Sequence, residues 1–294
     1  MSDVSVVVIT PAHNEAEHIA GLVASMAAQT RRPDAWVIVD DASTDGTGDT
    51  ARRAAADLDL DWVEVISRTR AAGRSFSAKA AAVAVGWEHL ADRRPDVVAV
   101  IDADLSLPAD FFATVLAAFA DDPSLGVTGG RYEHRIGGRV VQDQPPLQHV
   151  PGPSQTFRRE VWEAIGGYRD LPFGGVDTAA NVDARRDGWT TRHIPTLLVH
   201  HARRMGTGGG VHPVVAEFRK GRQDHDLATD PLFEAAKLAR RLSVRPRIIG
   251  ALARAAGYLR NAAGRRRTVD DDFAAFVRAE QRSRLRSPMR GRSR

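Results

Sequence analysis

The first half of the chain alternates short, mostly apolar runs with stretches in which apolar residues recur at helical spacing. Residues 4–9, Val-Ser-Val-Val-Val-Ile, are β-branched and nearly continuous, as in a strand buried on both faces of a parallel sheet. Pro11 closes that run, and Ile19, Leu22, Val23 and Met26 then set one apolar stripe on a helix predicted over residues 15–29. The alternation repeats: strand 36–39, helix 48–56, strand 63–66, an alanine-rich helix 78–90, and strand 97–101. Strands and helices joined by short linkers predict an α/β fold with a Rossmann-like, mainly parallel sheet flanked by helices. Ligands of such sheets bind beyond the carboxyl ends of the strands. Three polar clusters, residues 11–15, 40–45 and 102–104, follow strand ends and are predicted to share one rim.

Beyond residue 110 the pattern loosens. A helix over 111–120 leads to Val127-Thr128-Gly129-Gly130 and a Gly- and Pro-rich stretch to Pro153, to which the pattern assigns no element. A helix over 157–165 should stop at Gly166-Gly167. Another is predicted over 178–187, followed by a strand at 196–200. From Pro231 the chain is helical in character and rich in arginine, and residues 282–294 have the composition of a disordered basic tail. The domain division expected from this is 1–230, with halves 1–110 and 111–230, a helical basic C-terminal extension over 231–281, and the tail 282–294.

Composition changes this picture in two places. The absence of cysteine excludes disulfides, thiolate metal sites and cysteine nucleophiles. The apolar runs are strand-sized, far below the roughly 18 residues of a membrane span, and Met1-Ser2-Asp3 leads into a strand without a signal-peptide pattern. A cytoplasmic protein is therefore expected. The formal charge of +4 conceals an asymmetry: residues 237–294 hold 17 Lys and Arg against 4 Asp and Glu, leaving 24 basic and 33 acidic residues before them. The tail is thus +13 and the body −9.

Among the polar clusters, Asp102-Ala103-Asp104 carries the most chemistry. Two carboxylates one residue apart at a strand end are costly to bury without a cation, and oxygen ligands of this kind suit Mg²⁺ or Mn²⁺, whose open positions a diphosphate can fill. The plain alternative is a turn-capping Asp102 beside a solvated Asp104. Asp40-Asp41-Ala42-Ser43 reads two ways as well: an Asp that accepts hydrogen bonds from a nucleobase or ribose, or a loop in which Ser43 or Asp45 caps the next helix.

The order of the clusters is more informative than any one of them. Thr10-Pro11-Ala12-His13-Asn14-Glu15, then Val39-Asp40-Asp41-Ala42-Ser43-Thr44-Asp45-Gly46-Thr47, then Lys79-Ala80-Ala81-Ala82, then Asp102-Ala103-Asp104, with Phe157-Arg158-Arg159-Glu160 through Gly166-Gly167-Tyr168 beyond, resembles the family 2 glycosyltransferases of GT-A fold. The resemblance spans roughly residues 3–202. It implies an inverting, metal-dependent transfer of one sugar from a nucleotide-diphosphate sugar to a hydroxyl or phosphate, with lipids and cell-envelope glycans among the acceptors. It places Pro11, Ala12, Glu15 and Asp41 around nucleobase and ribose, and Asp102 and Asp104 at the metal and diphosphate. Arg68, Arg74 and Lys79 would meet base or phosphate, or else remain solvated.

The family's acidic pair, usually Glu-Asp, falls at Val176-Asp177, so Asp177 becomes the general base. Asp183 is the rival if the register shifts, and a helix N-cap is the structural alternative for Asp177. His200 and His201 stand where relatives can place a ligand to metal or diphosphate, or they are packed surface residues. Residues 205–210, Met-Gly-Thr-Gly-Gly-Gly, read as a loop closing over the donor or as a linker. The Gln-x-x-Arg-Trp motif of processive members is missing from Phe218-Arg219-Lys220-Gly221-Arg222-Gln223, which favours single transfer over polymer synthesis.

Residues 248–259 are amphipathic and flanked by Arg245, Arg247, Arg265, Arg266 and Arg267, which suits either peripheral attachment to an anionic inner membrane face or packing on the catalytic domain. Two other classes of function stay open: a nucleotide-sugar-binding protein without catalysis, and nucleic-acid binding through the tail. The arginines lack interleaved aromatics, so no specific nucleic acid is expected.

Overall fold

Continuous β-branched runs leave a strand no polar face to show to water, so such strands need cover on both sides. A computed structural model describes residues 4–69, 77–136, 139–142, 144–202, 212–243, 246–264 and 267–286. In it, β1 (Val6–Ala12), β2 (Ala35–Asp41), β3 (Val63–Arg68) and β4 (Val97–Ile101) pair in parallel in the order β3-β2-β1-β4. Strand alternation divides their side chains between two layers. Val6, Val8, Trp36 and Ile38 join a core with Ile19, Leu22, Val23 and Met26 of α1 (Ile19–Ala27). On the opposite face, Ile9, Val37 and Val39 surround Gly86 of α3 (Ser77–Leu90), whose predecessor α2 (Thr47–Asp57) links β2 to β3. A Cβ on Gly86 would lie 2.5 Å from Ile9 Cγ2, so only glycine lets this helix rest so close to the sheet.

Beyond β4 the sheet becomes mixed. It continues through β5 (Leu105–Ser106), β6 (Leu125–Ile136), β7 (Arg139–Gln142), β8 (Ser154–Arg158) and β9 (Thr190–His201), in the full order β3-β2-β1-β4-β8-β6-β9-β5, with β7 paired to β6. Helix α4 (Phe111–Asp121) adds Phe111, Phe112, Val115 and Phe119 to the first core layer. The remaining helices of this region are α5 (Arg159–Ala164) and α6 (Val176–Arg186).

Three expectations are corrected here. The stretch 127–153, assigned no element, contains most of β6 and all of β7. Its Gly129 and Gly130 mark close backbone packing rather than a loop: added Cβ atoms would lie 2.3 Å from the Ser154 carbonyl oxygen and 2.8 Å from that of Leu197. The helix expected over 157–165 begins only at Arg159, because Phe157 is held in β8 opposite Val98 of β4. The strand expected at 196–200 runs from Thr190, and Pro195 falls where the β6–β9 register jumps, from Gly130↔Ile194 to Arg131↔Leu198.

The chain divides into two compact units, Met1–Asp170 with Val176–Met205, and Leu171–Gly175 with Gly206–Arg294. Helix α7 (Pro213–Asp226) is grouped with α8 (Pro231–Arg241), α9 (Arg247–Ala263) and α10 (Asp271–Arg286) in the second of these. In this second unit α7 and α9 touch backbone to backbone at Gly221 and Gly257. A Cβ on Gly221 would fall 1.9 Å from the Arg254 carbonyl oxygen, and one on Gly257 would fall 2.0 Å from that of Phe218. Beside this crossing Arg254 sits in a buried ion network with Glu234 (3.0 Å), Glu217 (3.7 Å) and Asp224. Burial alone would lower the Arg254 pKa, but Asp224 and Glu234 outweigh it and raise it.

Helix α10 extends to Arg286, so residues 282–286 of the expected disordered tail are helical. A tertiary contact holds this end: Arg282 Nε donates to Asp230 at 2.7 Å, and Asp230 also caps α8 through the Leu232 N–H. Residues 287–294 lie outside the described residues. No helix among the described residues is long and apolar enough to cross a membrane.

Replacing Gly257 by Ala must separate α7 from α9, since no rotamer moves a Cβ away from a carbonyl. The expected cost is about 1–3 kcal/mol, read as a lowered melting temperature. Gly264→Ala, where the nearest atom would be 3.4 Å away, should leave the transition almost unchanged.

Candidate active site

Two loops at the carboxyl ends of β1 and β2 are tied to each other by short polar side chains. Asn14 Oδ1 accepts from the Thr44 N–H (2.8 Å), Ser43 Oγ from the Asn14 N–H (3.0 Å), Thr47 Oγ1 from the Glu15 N–H (2.8 Å), and Asp45 Oδ2 from the Ala16 N–H (3.0 Å). Burial would raise the Asp45 pKa, but its hydrogen bonds from Thr47 and Ala16 hold it below the ordinary carboxylate value. Asp45 and Asp40, whose Oδ1 accepts from the Ser43 N–H at 3.0 Å, therefore serve the loop. Asp41 does not.

The Asp41 side chain is buried and paired with Arg68 Nη1 at 3.0 Å, while its carbonyl accepts from His13 Nδ1 at 2.8 Å. Ala42, directly after it, has φ 55°, a left-handed conformation that costs a residue with a Cβ about 1–3 kcal/mol. Pro11 and Ala12 end β1 alongside, with Ala12 in register with Asp40. Glu15 follows in the tied loop. Arg74 lies outside the described residues.

A second cluster forms around β4. Lys79, from the first turn of α3, places Nζ 2.5 Å from Asp102 Oδ1 and 3.5 Å from the Gly152 carbonyl. Burial raises the pKa of Asp102; Lys79 pulls it down, and the adjacent Asp104 pushes it up again. Asp104 is 9% exposed, with Oδ1 3.7 Å from His201 Nε2. The antiparallel pairing of Leu105 with His201 brings them together. His200 points to the other side of β9, toward Glu133 at 3.9 Å, so only His201 of the pair reaches the carboxylates. Among the described residues no three His, Asp or Glu side chains converge into a metal cage.

Asp177 occupies the first turn of α6, beside the same cluster. Gly152 makes room for it: a Cβ there would stand 2.7 Å from Asp177 Cβ and 2.9 Å from its Oδ2. The Asp177 carbonyl accepts from Gln155 Nε2 (3.1 Å) and Asn181 Nδ2 (2.9 Å), and Gln155 in turn accepts from the Tyr168 hydroxyl (2.7 Å). Tyr132 donates to Ser154 Oγ at 2.5 Å. Burial holds both tyrosine hydroxyls well above their ordinary pKa, and the charges of Asp102 and Asp177 each add to the rise. Both carboxylates therefore act on the same two rings. Asp183, the rival position, is buried and held by Arg169 at 2.6 Å and Arg186 at 3.5 Å, which gives it a structural part.

The sequence did not point to Gly152, Tyr132, Gln155 or Asn181. Only Gly152 carried a signal, being framed by Pro151 and Pro153 in a stretch otherwise read as loop.

The profile of the family described as Glycosyl transferase family 2 matches residues 7–168, more than half of the chain. The chain belongs to that family and is a glycosyltransferase. No curated protein sequence matches it. Solved structures share its GT-A-like fold. The mannosyltransferase PcManGT from Pyrobaculum calidifontis, in complex with GDP-Man and Mn²⁺, is 22% identical, with TM-score 0.58 over 96% of this chain and 81% of that one. Residues 1–349 of S. aureus TarS, in complex with UDP-GlcNAc, are 19% identical, with TM-score 0.53 over 80% of this chain and 69% of that one.

Gly152→Ala should displace the first turn of α6, because the three atoms nearest the added Cβ all belong to Asp177; the expected cost is about 1–3 kcal/mol, read as a lowered melting temperature.

Proposed function

We propose that this chain moves one sugar from a nucleotide-diphosphate sugar to a hydroxyl or phosphate of an acceptor, with inversion and with the help of Mg²⁺ or Mn²⁺. The observation that carries the reading is the continuous run Asp102, Lys79, Gly152, Asp177, in which a cation spans 2.5 Å to one carboxylate and 3.5 Å to the backbone beside the other. A strand-end carboxylate pair and a separate carboxylate beside it are what a donor half and an acceptor half of the reaction require. The donor class is supported by the likeness to PcManGT and TarS, whose complexes hold GDP-Man and UDP-GlcNAc.

The donor set suits a metal carried largely by its substrate. Asp102 and Asp104 offer two carboxylates, and His201 lies 3.7 Å from Asp104. Among the described residues this falls short of a full protein cage and matches the way Mg²⁺ and Mn²⁺ complete their shell with phosphate oxygens and water. When bound there, the metal supplies charge neutralisation for the leaving diphosphate.

The chain's own groups do the rest in this reading. Asp41, fixed by Arg68 and His13, accepts hydrogen bonds from base or ribose, with Pro11, Ala12 and Glu15 lining the same place. Lys79 holds the Asp102 carboxylate in one orientation and adds a positive charge next to the diphosphate. Asp177 removes the acceptor proton as the acceptor oxygen attacks the anomeric carbon and the bond from that carbon to the diphosphate oxygen breaks on the opposite face.

Asp177→Asn preserves shape and removes the base. Donor binding in a thermal-shift titration should be retained, while release of nucleoside diphosphate falls by about 10²–10⁴-fold. Unchanged turnover would reject the assignment. Asp104→Ala should act on the other half, weakening donor binding only when Mn²⁺ is present. Identical Mn²⁺ titrations of variant and parent would count against a metal at this pair.

A further inference from the structure

Helix α9 is built the wrong way round for a helix packed on a water-exposed fold. Its inward side consists of Gly250, Ala251, Gly257 and Asn261, all buried, with Arg254 in the ion network. Its outward side carries Ile248, Ile249, Leu252 and Leu259, exposed to 66%, 62%, 64% and 64%. At 3.6 residues per turn these four fall within an arc of about 100°. The inversion has a steric cause: the backbone contact at Gly221 and Gly257 leaves no inward room for a large side chain. Helix α8 adds Leu232, 68% exposed. A contiguous apolar stripe left in water marks a surface that something covers.

Charge indicates what covers it. Arg240, Arg247 and Arg260 are exposed on these two helices, and α9 itself contains no Asp or Glu. Arg260 and Ala263 also line a pocket shared with Arg222, Arg267 and Thr268, in which the Arg222 guanidinium lies 4.1 Å from the Phe173 ring. An apolar stripe edged by arginines and continuous with an arginine-lined pocket matches the layering of an anionic lipid surface, acyl chains below and phosphates above. A second copy of the chain would instead bring two arginine rims face to face. The helix does not meet the requirement for crossing a bilayer, so it would lie along the surface.

We infer that α9 docks the protein on an anionic bilayer, with Ile248, Leu252 and Leu259 in the acyl boundary and Arg247 and Arg260 at the level of the lipid phosphates. The inference stands apart from the reaction: nothing in it depends on Asp102 or Asp177.

The full chain can be tested directly, by sedimentation with vesicles of phosphatidylcholine alone and of equal parts phosphatidylcholine and phosphatidylglycerol. Binding is expected to the anionic vesicles only. Changing Ile248, Leu252 and Leu259 together to Gln should lower it at least about tenfold without altering the melting temperature, because all three side chains are exposed. The chain has no cysteine, so Leu252→Cys accepts a single polarity-sensitive fluorophore, whose emission should rise with anionic vesicles. Failure of the parent chain to bind anionic vesicles would overturn the inference. So would equal binding by the Gln variant, which would assign attachment to the basic tail alone, or a parent dimer that the Gln variant abolishes, which would assign the stripe to a second copy.

Discussion

Asp102, at the end of β4 beside Asp104, is paired with Lys79 of α3, and this ion pair ties together the elements of the first unit that carry the candidate site. Asp102 is raised in pKa by burial and by Asp104, and Lys79 is the cation that opposes this. The position of Lys79 depends on α3, which lies against β1 and β2 only because residue 86 is glycine. The same cation reaches the carbonyl of Gly152, whose missing side chain admits Asp177. A protonated Asp102 would be a poor oxygen ligand for a hard cation, and Lys79 opposes that protonation.

The two halves of the rim meet this demand differently. Around Asp41 the compensation is complete within the protein, with Arg68 on the carboxylate and His13 on the carbonyl. Around Asp102 and Asp104 a lysine stands 2.5 Å from the first and a histidine 3.7 Å from the second. In the proposed reaction the nucleoside side needs a fixed frame, whereas the diphosphate side must accept further positive charge with its ligand. Asp183 shows the contrasting case of a buried carboxylate matched by two arginines.

In the second unit the governing constraint is steric instead. Contact at Gly221 and Gly257 draws α7 and α9 together, the ion network around Arg254 fills the space beside them, and the large apolar side chains of α9 are left outside. The apolar stripe in residues 248–259 was visible as a pattern. The direction it faces was not, because periodicity defines two sides of a helix without saying which one is covered.

The same distinction runs through the whole chain. The sequence by itself determined the four parallel strands, the helices between them, the shared rim and the family, and it singled out Asp41, Lys79, Asp102, Asp104 and Asp177 as candidates, because buried strands and rim polar clusters leave local signatures. It failed where local and tertiary signals disagree: Gly129 and Gly130 looked like loop residues but permit close strand packing, and Phe157 looked helical but is drawn into β8 by pairing with β4. Only the tertiary structure brought His201 rather than His200 beside Asp104, paired Asp183 with two arginines, and gathered Gly152, Gln155, Tyr132 and Asn181 around Asp177. Those choices rest on distances of a few ångströms between elements far apart in the chain, and no single stretch of sequence contains them.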